Sequence, residues 1–164
     1  MAKKDRGGSR ANTKEAIRQL TVNYALGTDA IGRSDLDGGI AIYRETFLPG
    51  AEIRVAGMAE PYTGPEHWAG YVNSHFRERN YRATQHLMGT VNISVGTGKK
   101  EGTAVISSYL HAAHAVDGEP RVFVVLGTYD DECVRKKGRW WIARRTLTPM
   151  ASWWEGGSKA GSGA

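Results

Sequence analysis

Residues 83–95, Ala83-Thr84-Gln85-His86-Leu87-Met88-Gly89-Thr90-Val91-Asn92-Ile93-Ser94-Val95, begin the half of the chain in which hydrophobic residues recur with a period of two. That spacing belongs to a strand with one face on a core. Three more strand-like runs follow, punctuated by turn residues at Gly96-Thr97-Gly98-Lys99-Lys100, Asp117-Gly118 and Lys136-Lys137-Gly138. Parity inside the first run is divided: His86 falls with Met88, Thr90, Asn92 and Ser94, whereas Leu87, Val91, Ile93 and Val95 form the apolar set. A bulge near Gly89 would re-phase the strand and bring His86 onto the core side.

Upstream of Ala83 the period is that of a helix. Asn12 and Glu15 make a capping box for a helix over about Thr13 to Ala30, in which Ile17, Leu20, Tyr24 and Ile31 share a stripe. Ser34 and Asp37 repeat the cap for a shorter helix carrying Ile40, Tyr43 and Phe47, stopped by Pro49-Gly50. Ala51 to Ala56 alternates like a short strand. Thr63-Gly64-Pro65-Glu66 opens a third helix with Trp68, Tyr71, Val72, His75 and Phe76 on one stripe; His75 packs at its edge and His67 faces solvent. Helices first and a meander afterwards predict an α+β fold, three N-terminal helices packed on a strongly curved, mostly antiparallel sheet.

The length of 164 residues suits one domain with one cavity. Of the net charge of +5, a net of +3 lies in Met1 to Arg10 and one more in Lys159, so the body is close to neutral and presents no nucleic-acid footprint. Residues 1–11 read as a disordered basic arm, 12–155 as the domain and 156–164 as a disordered Gly/Ser tail. Cys133 is the only cysteine, which suits a reducing compartment and a packed strand thiol. No apolar run is long enough to cross a bilayer, so the expectation is a cytoplasmic protein without a membrane partner.

The chemistry-bearing residues are few. Histidine changes charge nearest neutrality, and His86 at a strand entrance is a natural general base. Asp29, near the end of the first helix, is the candidate orienter, and Tyr24 precedes it by five residues, about 140° around an ideal helix. The two therefore reach one site from different sides, unless the helix loosens near Gly27. His111-Ala112-Ala113-His114 has helical metal-ligand spacing, but on a strand the two rings point to opposite faces, so no metal site is expected. Parity groups His111 with Tyr109 and Ala113, and His111 is taken as the cavity residue. Gly96-x-Gly98 opens no helix and reads as a hairpin. Asp130 and Asp131 can supply a carboxylate to Arg144 or Arg145 on the neighbouring strand, in a structural pair.

Helix one with Tyr24 and Asp29, Thr84-Gln85-His86, Gly127-Thr128-Tyr129-Asp130-Asp131 and Trp140-Trp141-Ile142-Ala143-Arg144-Arg145 together resemble the SnoaL-like branch of the nuclear transport factor 2-like superfamily, over about Ala11 to Trp154. Within it the pattern is similar to scytalone dehydratase, bile-acid 7α-dehydratase and hexachlorocyclohexane dehydrochlorinase. The resemblance implies a cone-shaped α+β barrel around one apolar pocket and elimination from a cyclic small molecule without metal or organic cofactor. It also implies His86 as base, Asp29 as its partner, Tyr24 as hydroxyl donor, and a homo-oligomer, trimer before dimer. Trp68, Tyr109, His111, Tyr129 and Arg145 are the expected pocket residues. Isomerases, cyclases and the non-catalytic β subunits of ring-hydroxylating dioxygenases share the fold, so fold alone does not select among them.

Overall fold

A computed structural model of the protein describes residues 6–156. The first helix, α1, spans Arg6–Gly32, so residues 6–11, expected in the basic arm, are helical. Residues 1–5 of that arm and 157–164 of the expected tail lie outside the described residues. Ile17, Leu20, Tyr24 and Ile31 are all buried along one stripe of α1, as their spacing requires. Each fully buried side chain of this size contributes on the order of 1.5–3 kcal/mol by leaving water.

Helix α2 runs Leu36–Arg44 and is capped by Asp35, not Ser34, through a bond from Gly38 N at 2.9 Å. Ser34 takes a left-handed φ of 71°, which turns the chain between the helices. Phe47 lies beyond α2 and begins strand β1, Phe47–Val55, which runs through Pro49-Gly50. The proline is tolerated because the register shifts between Phe47 and Glu52, where no ladder donor is required of it. A short strand, β2, at Tyr62–Thr63 leads into helix α3, Gly64–Glu78, with Pro65 in its first turn.

Four long strands complete the chain: β3 Tyr81–Val95, β4 Thr103–Val116, β5 Val122–Lys136 and β6 Arg139–Glu155. The sheet order is β2-β1-β6-β5-β4-β3, with β1 parallel to β6 and every other pair antiparallel. The sheet is therefore mixed and open. Its curvature follows from interruptions of register, between Gly89 and Asn92 in β3, opposite Glu132/Cys133 around Ala143 in β6, and opposite Leu126/Gly127 around Met150 in β6. Thr90 at the first of these has a φ of 45°. The bulge does re-phase β3: Thr84 is buried before it and Ile93 after it. The tight β5–β6 turn places Lys137 and Gly138 at φ 51° and 80°, the pattern of a type I′ hairpin.

Trp153 and Trp154 belong to β6 and pair with Val124 and Phe123. The bulge around Ala143 turns Arg145 inward, directly opposite Asp131. There the guanidinium donates twice to the carboxylate, Nε to Oδ1 and Nη2 to Oδ2, both at 2.6 Å, with both side chains fully enclosed. Burial opposes the charge on Arg145, but Asp131 outweighs it and raises the guanidinium pKa. Arg144 points outward to Glu132 instead. Removing one partner of a buried pair strands the other charge, so Arg145→Ala is expected to cost about 3–5 kcal/mol in urea denaturation. The double variant Arg145→Met with Asp131→Leu is expected to recover most of that loss.

Candidate active site

Between α3 and the concave face of the sheet lies a cavity of about 170 Å³. Its wall is mostly apolar, with Trp68, Val72 and Phe76 from α3, Leu110 and Ala112 from β4, and Leu147 and Pro149 from β6. The polar groups on it are Tyr24, Thr28, Tyr71, His75, His86, His114 and Tyr129. Of the sequence-derived pocket residues, Trp68 and Tyr129 line it.

Asp29 stands behind His86. His86 Nδ1 lies 2.7 Å from Asp29 Oδ1, the His86 backbone N–H reaches Oδ2 at 3.2 Å, and Thr84 Oγ1 donates to Oδ1 at 2.9 Å. A carboxylate only accepts, so Nδ1 carries the proton, and in the neutral ring the lone pair sits on Nε2. This close approach of α1 to β3 needs Gly32, where an added Cβ would stand 2.2 Å from Thr84 Oγ1. Helix α1 is unbroken through Gly27, so Tyr24 and Asp29 reach the site from different sides: Tyr24 lines the cavity, and Asp29 acts on it through His86.

The floor under Tyr24 is built from phenols. Tyr129 Oη donates to Tyr24 Oη at 3.2 Å, which leaves the Tyr24 proton free to donate in turn. Tyr43 stacks on Tyr24 at 5.5 Å and bonds Thr28 Oγ1 at 2.5 Å. Thr28 Oγ1 already donates to the Tyr24 carbonyl, so Tyr43 is the donor in that pair. Burial raises the pKa of Tyr43 and of Tyr129, which keeps both as proton donors. Arg145 does not line the cavity. Its guanidinium lies 3.9 Å from the Tyr24 ring centre and 4.4 Å from that of Tyr129, so the aromatic rings separate it from the space above.

Two expected pocket residues are on the other side of the sheet. Inward positions of β4 are Ala104, Ile106, Ser108, Leu110, Ala112 and His114, all buried, whereas His111 and Tyr109 are exposed, Tyr109 by 58%. His111 and His114 do point to opposite faces, and His114 is the cavity histidine. The aliphatic pair Ile106 and Leu110 marks this face and could have decided the parity. Among the described residues no three His, Cys, Asp or Glu side chains converge as metal ligands. Cys133 is buried, and that burial pushes its thiol pKa up.

Three helices on an open, curved, mixed sheet, with a cavity between α3 and its concave face, give an α+β cone-like fold of the nuclear transport factor 2-like kind. The chain belongs to the SnoaL-like domain family, whose pattern matches residues 9–146. No curated protein matches it. Among solved structures it is similar to hexachlorocyclohexane dehydrochlorinase LinA-type3 from Novosphingobium barchaimii LL02, at 16% identity and a TM-score of 0.72 over 90% of this chain and 93% of that one. It is also similar to a candidate scytalone dehydratase from Novosphingobium aromaticivorans DSM 12444, at 20% identity and a TM-score of 0.70 over 89% of each chain. A protein with a cystatin-like fold from Nostoc punctiforme matches at 15% identity and a TM-score of 0.60, over 84% of this chain and 90% of that one. No described helix is long and apolar enough to cross a membrane.

His114 couples the site to pH. Its Nδ1 lies 3.0 Å from the Phe123 carbonyl, and burial lowers its pKa from 6.5 to about 4. The unfolded chain takes up this proton near pH 6.5 and the folded chain only near 4, so stability is full above about 6.5 and declines as pH falls toward 4. The loss from this group is about 3 kcal/mol in all. Urea midpoints at pH 4.5 and 7.5 are expected to differ less in His114→Phe than in the parent.

Proposed function

We propose that the protein is a cofactor-independent lyase that removes water or another small leaving group from a cyclic, largely apolar molecule such as a polyketide or steroid-like metabolite. The observation that carries this reading is the His86–Asp29 contact at 2.7 Å on the wall of an otherwise apolar cavity. His86 Nε2 takes a proton adjacent to an activating group, Asp29 holds the ring tautomer and balances the cation that forms, and Tyr24 donates to the departing group or to an activating oxygen. His114, neutral with its Nδ1 committed to Phe123, offers a second Nε2 lone pair beside His86, the ring centres 5.8 Å apart. The names of the dehydratase-like and dehydrochlorinase relatives support elimination. An isomerase or cyclase would use the same dyad without a departing group.

Chloride release from hexachlorocyclohexane and water loss from cyclic β-hydroxy ketones are the assays. His86→Gln is expected to lower kcat by about 10² to 10⁴ without unfolding the chain. Asp29→Asn is expected to do comparable damage, because its amide can donate to Nδ1 and move the ring proton onto Nε2. Full activity in both variants would exclude the dyad, and rearranged product without a leaving group would favour the isomerase reading.

The same proposal includes a homo-oligomer, trimer before dimer. On the outer face of the sheet Leu87, His111 and Leu126 sit on successive strands in cross-strand register, as do Ala113, Val124 and Trp153, with Val105 and Tyr109 on the same face of β4. Leu87, Val105 and Tyr109 are each more than half exposed, an apolar surface that association would cover. Light scattering is expected to give a multiple of the chain mass that falls when the chain is ended at Ser152. A monomeric parent would overturn it.

A further inference from the structure

Three histidines line the cavity, and contacts outside it decide which nitrogen of each ring carries the proton. Nδ1 of His86 faces Asp29 and Nδ1 of His114 faces the Phe123 carbonyl, partners that only accept. His75 is the opposite case. Its Nδ1 lies 3.1 Å from Nη1 of Arg79, one helical turn further on at the end of α3. A guanidinium has no lone pair to offer, so Nδ1 of His75 has to accept, and the one proton of the neutral ring belongs on Nε2. Burial, reinforced by the Arg79 charge, lowers the His75 pKa from its ordinary 6.5, which keeps the ring neutral at pH 7 and above.

The polar groups of the cavity thus divide by element. The sheet wall presents lone pairs, from His86 on β3 and His114 on β4. The helix wall presents protons, from Tyr24 on α1, whose hydroxyl already accepts from Tyr129, and from His75 on α3, while the nearby Tyr71 hydroxyl gives its own to Met58 Sδ. We infer that His75 is a specificity-determining residue: Arg79 fixes its Nε2–H as a donor on the α3 wall, and this donor selects molecules that place an acceptor oxygen, a ketone or an ether, on that side. The inference deepens the small-molecule reading of the cavity and rests on it. Arg79 is a positioning residue here. It is exposed and touches the ligand only through the tautomer it imposes.

Nitrogen-resolved NMR of the imidazoles at pH 7.5 reads the tautomers directly: the proton is expected on Nε2 in His75 and on Nδ1 in His114. The binding probes are 1-indanone and indane, which share a ring frame and differ in one acceptor oxygen. The parent protein is expected to prefer indanone about fivefold, the worth of one ordinary hydrogen bond. His75→Phe, which suits a setting next to Tyr71 and Phe76, is expected to abolish the preference. Arg79→Met, a change at an exposed position, is expected to mix the His75 tautomers and weaken the preference. A His75 proton on Nδ1, or a preference that survives His75→Phe, overturns the inference. Equal binding of both probes by the parent overturns it while leaving the small-molecule reading intact, and binding of neither removes both.

Discussion

One carboxylate ties the helical layer to the sheet. Asp29, near the end of α1, receives the hydroxyl of Thr84, the backbone N–H of His86 and the imidazole of His86, all from the first inward-facing turn of β3. These bonds set how closely α1 lies on the sheet edge, and Gly32 is what lets the backbone come that near. A partly buried carboxylate needs such partners, since without them its desolvation would be unpaid. The same contact fixes a ring nitrogen in the cavity wall, so the bond that docks the helix also sets the tautomer of His86.

A second buried charge supports the site without entering it. The Arg145–Asp131 pair lies beneath Tyr24 and Tyr129 and is sealed from the cavity by their rings. In a low-dielectric interior this cation would be costly alone, and Asp131 opposite it on β5 compensates it in bidentate geometry. The consequence is a rigid aromatic floor whose uppermost hydroxyl, that of Tyr24, keeps a proton to give. Such an arrangement holds the Tyr24 hydroxyl in one orientation at the cavity wall.

Sheet curvature decides which residues of these long strands meet. Each interruption of register, near Gly89, Ala143 and Met150, moves the inward set from one parity to the other. Thr84, His86 and Ile93 can therefore serve one concave face although they do not share a parity, and so can Trp140, Ile142 and Arg145. The concave face becomes a cavity because α3 covers it with Trp68, Val72 and Phe76. The convex face keeps Leu87, Tyr109 and Trp153 at the surface.

Much was legible in the residues alone. The stripes Ile17-Leu20-Tyr24-Ile31 and Trp68-Val72-Phe76, the turns between the strands and the change of period at Ala83 determine the helices and the four long strands that end the chain, because backbone periodicity and turn geometry are local properties. Tyr24, Asp29, Trp68, His86 and Tyr129 could be named from their order along the chain and its likeness to a family. What only the tertiary structure decided is parity and partnership. His114 rather than His111 faces the cavity, Arg145 is sheathed by Asp131 and two tyrosines, Asp35 rather than Ser34 caps α2, and Arg79 sets the His75 proton. The physical reason is common to all four: a side chain's face and partner depend on bulges and on residues brought near from distant segments, and one residue of register reverses every side chain on a strand.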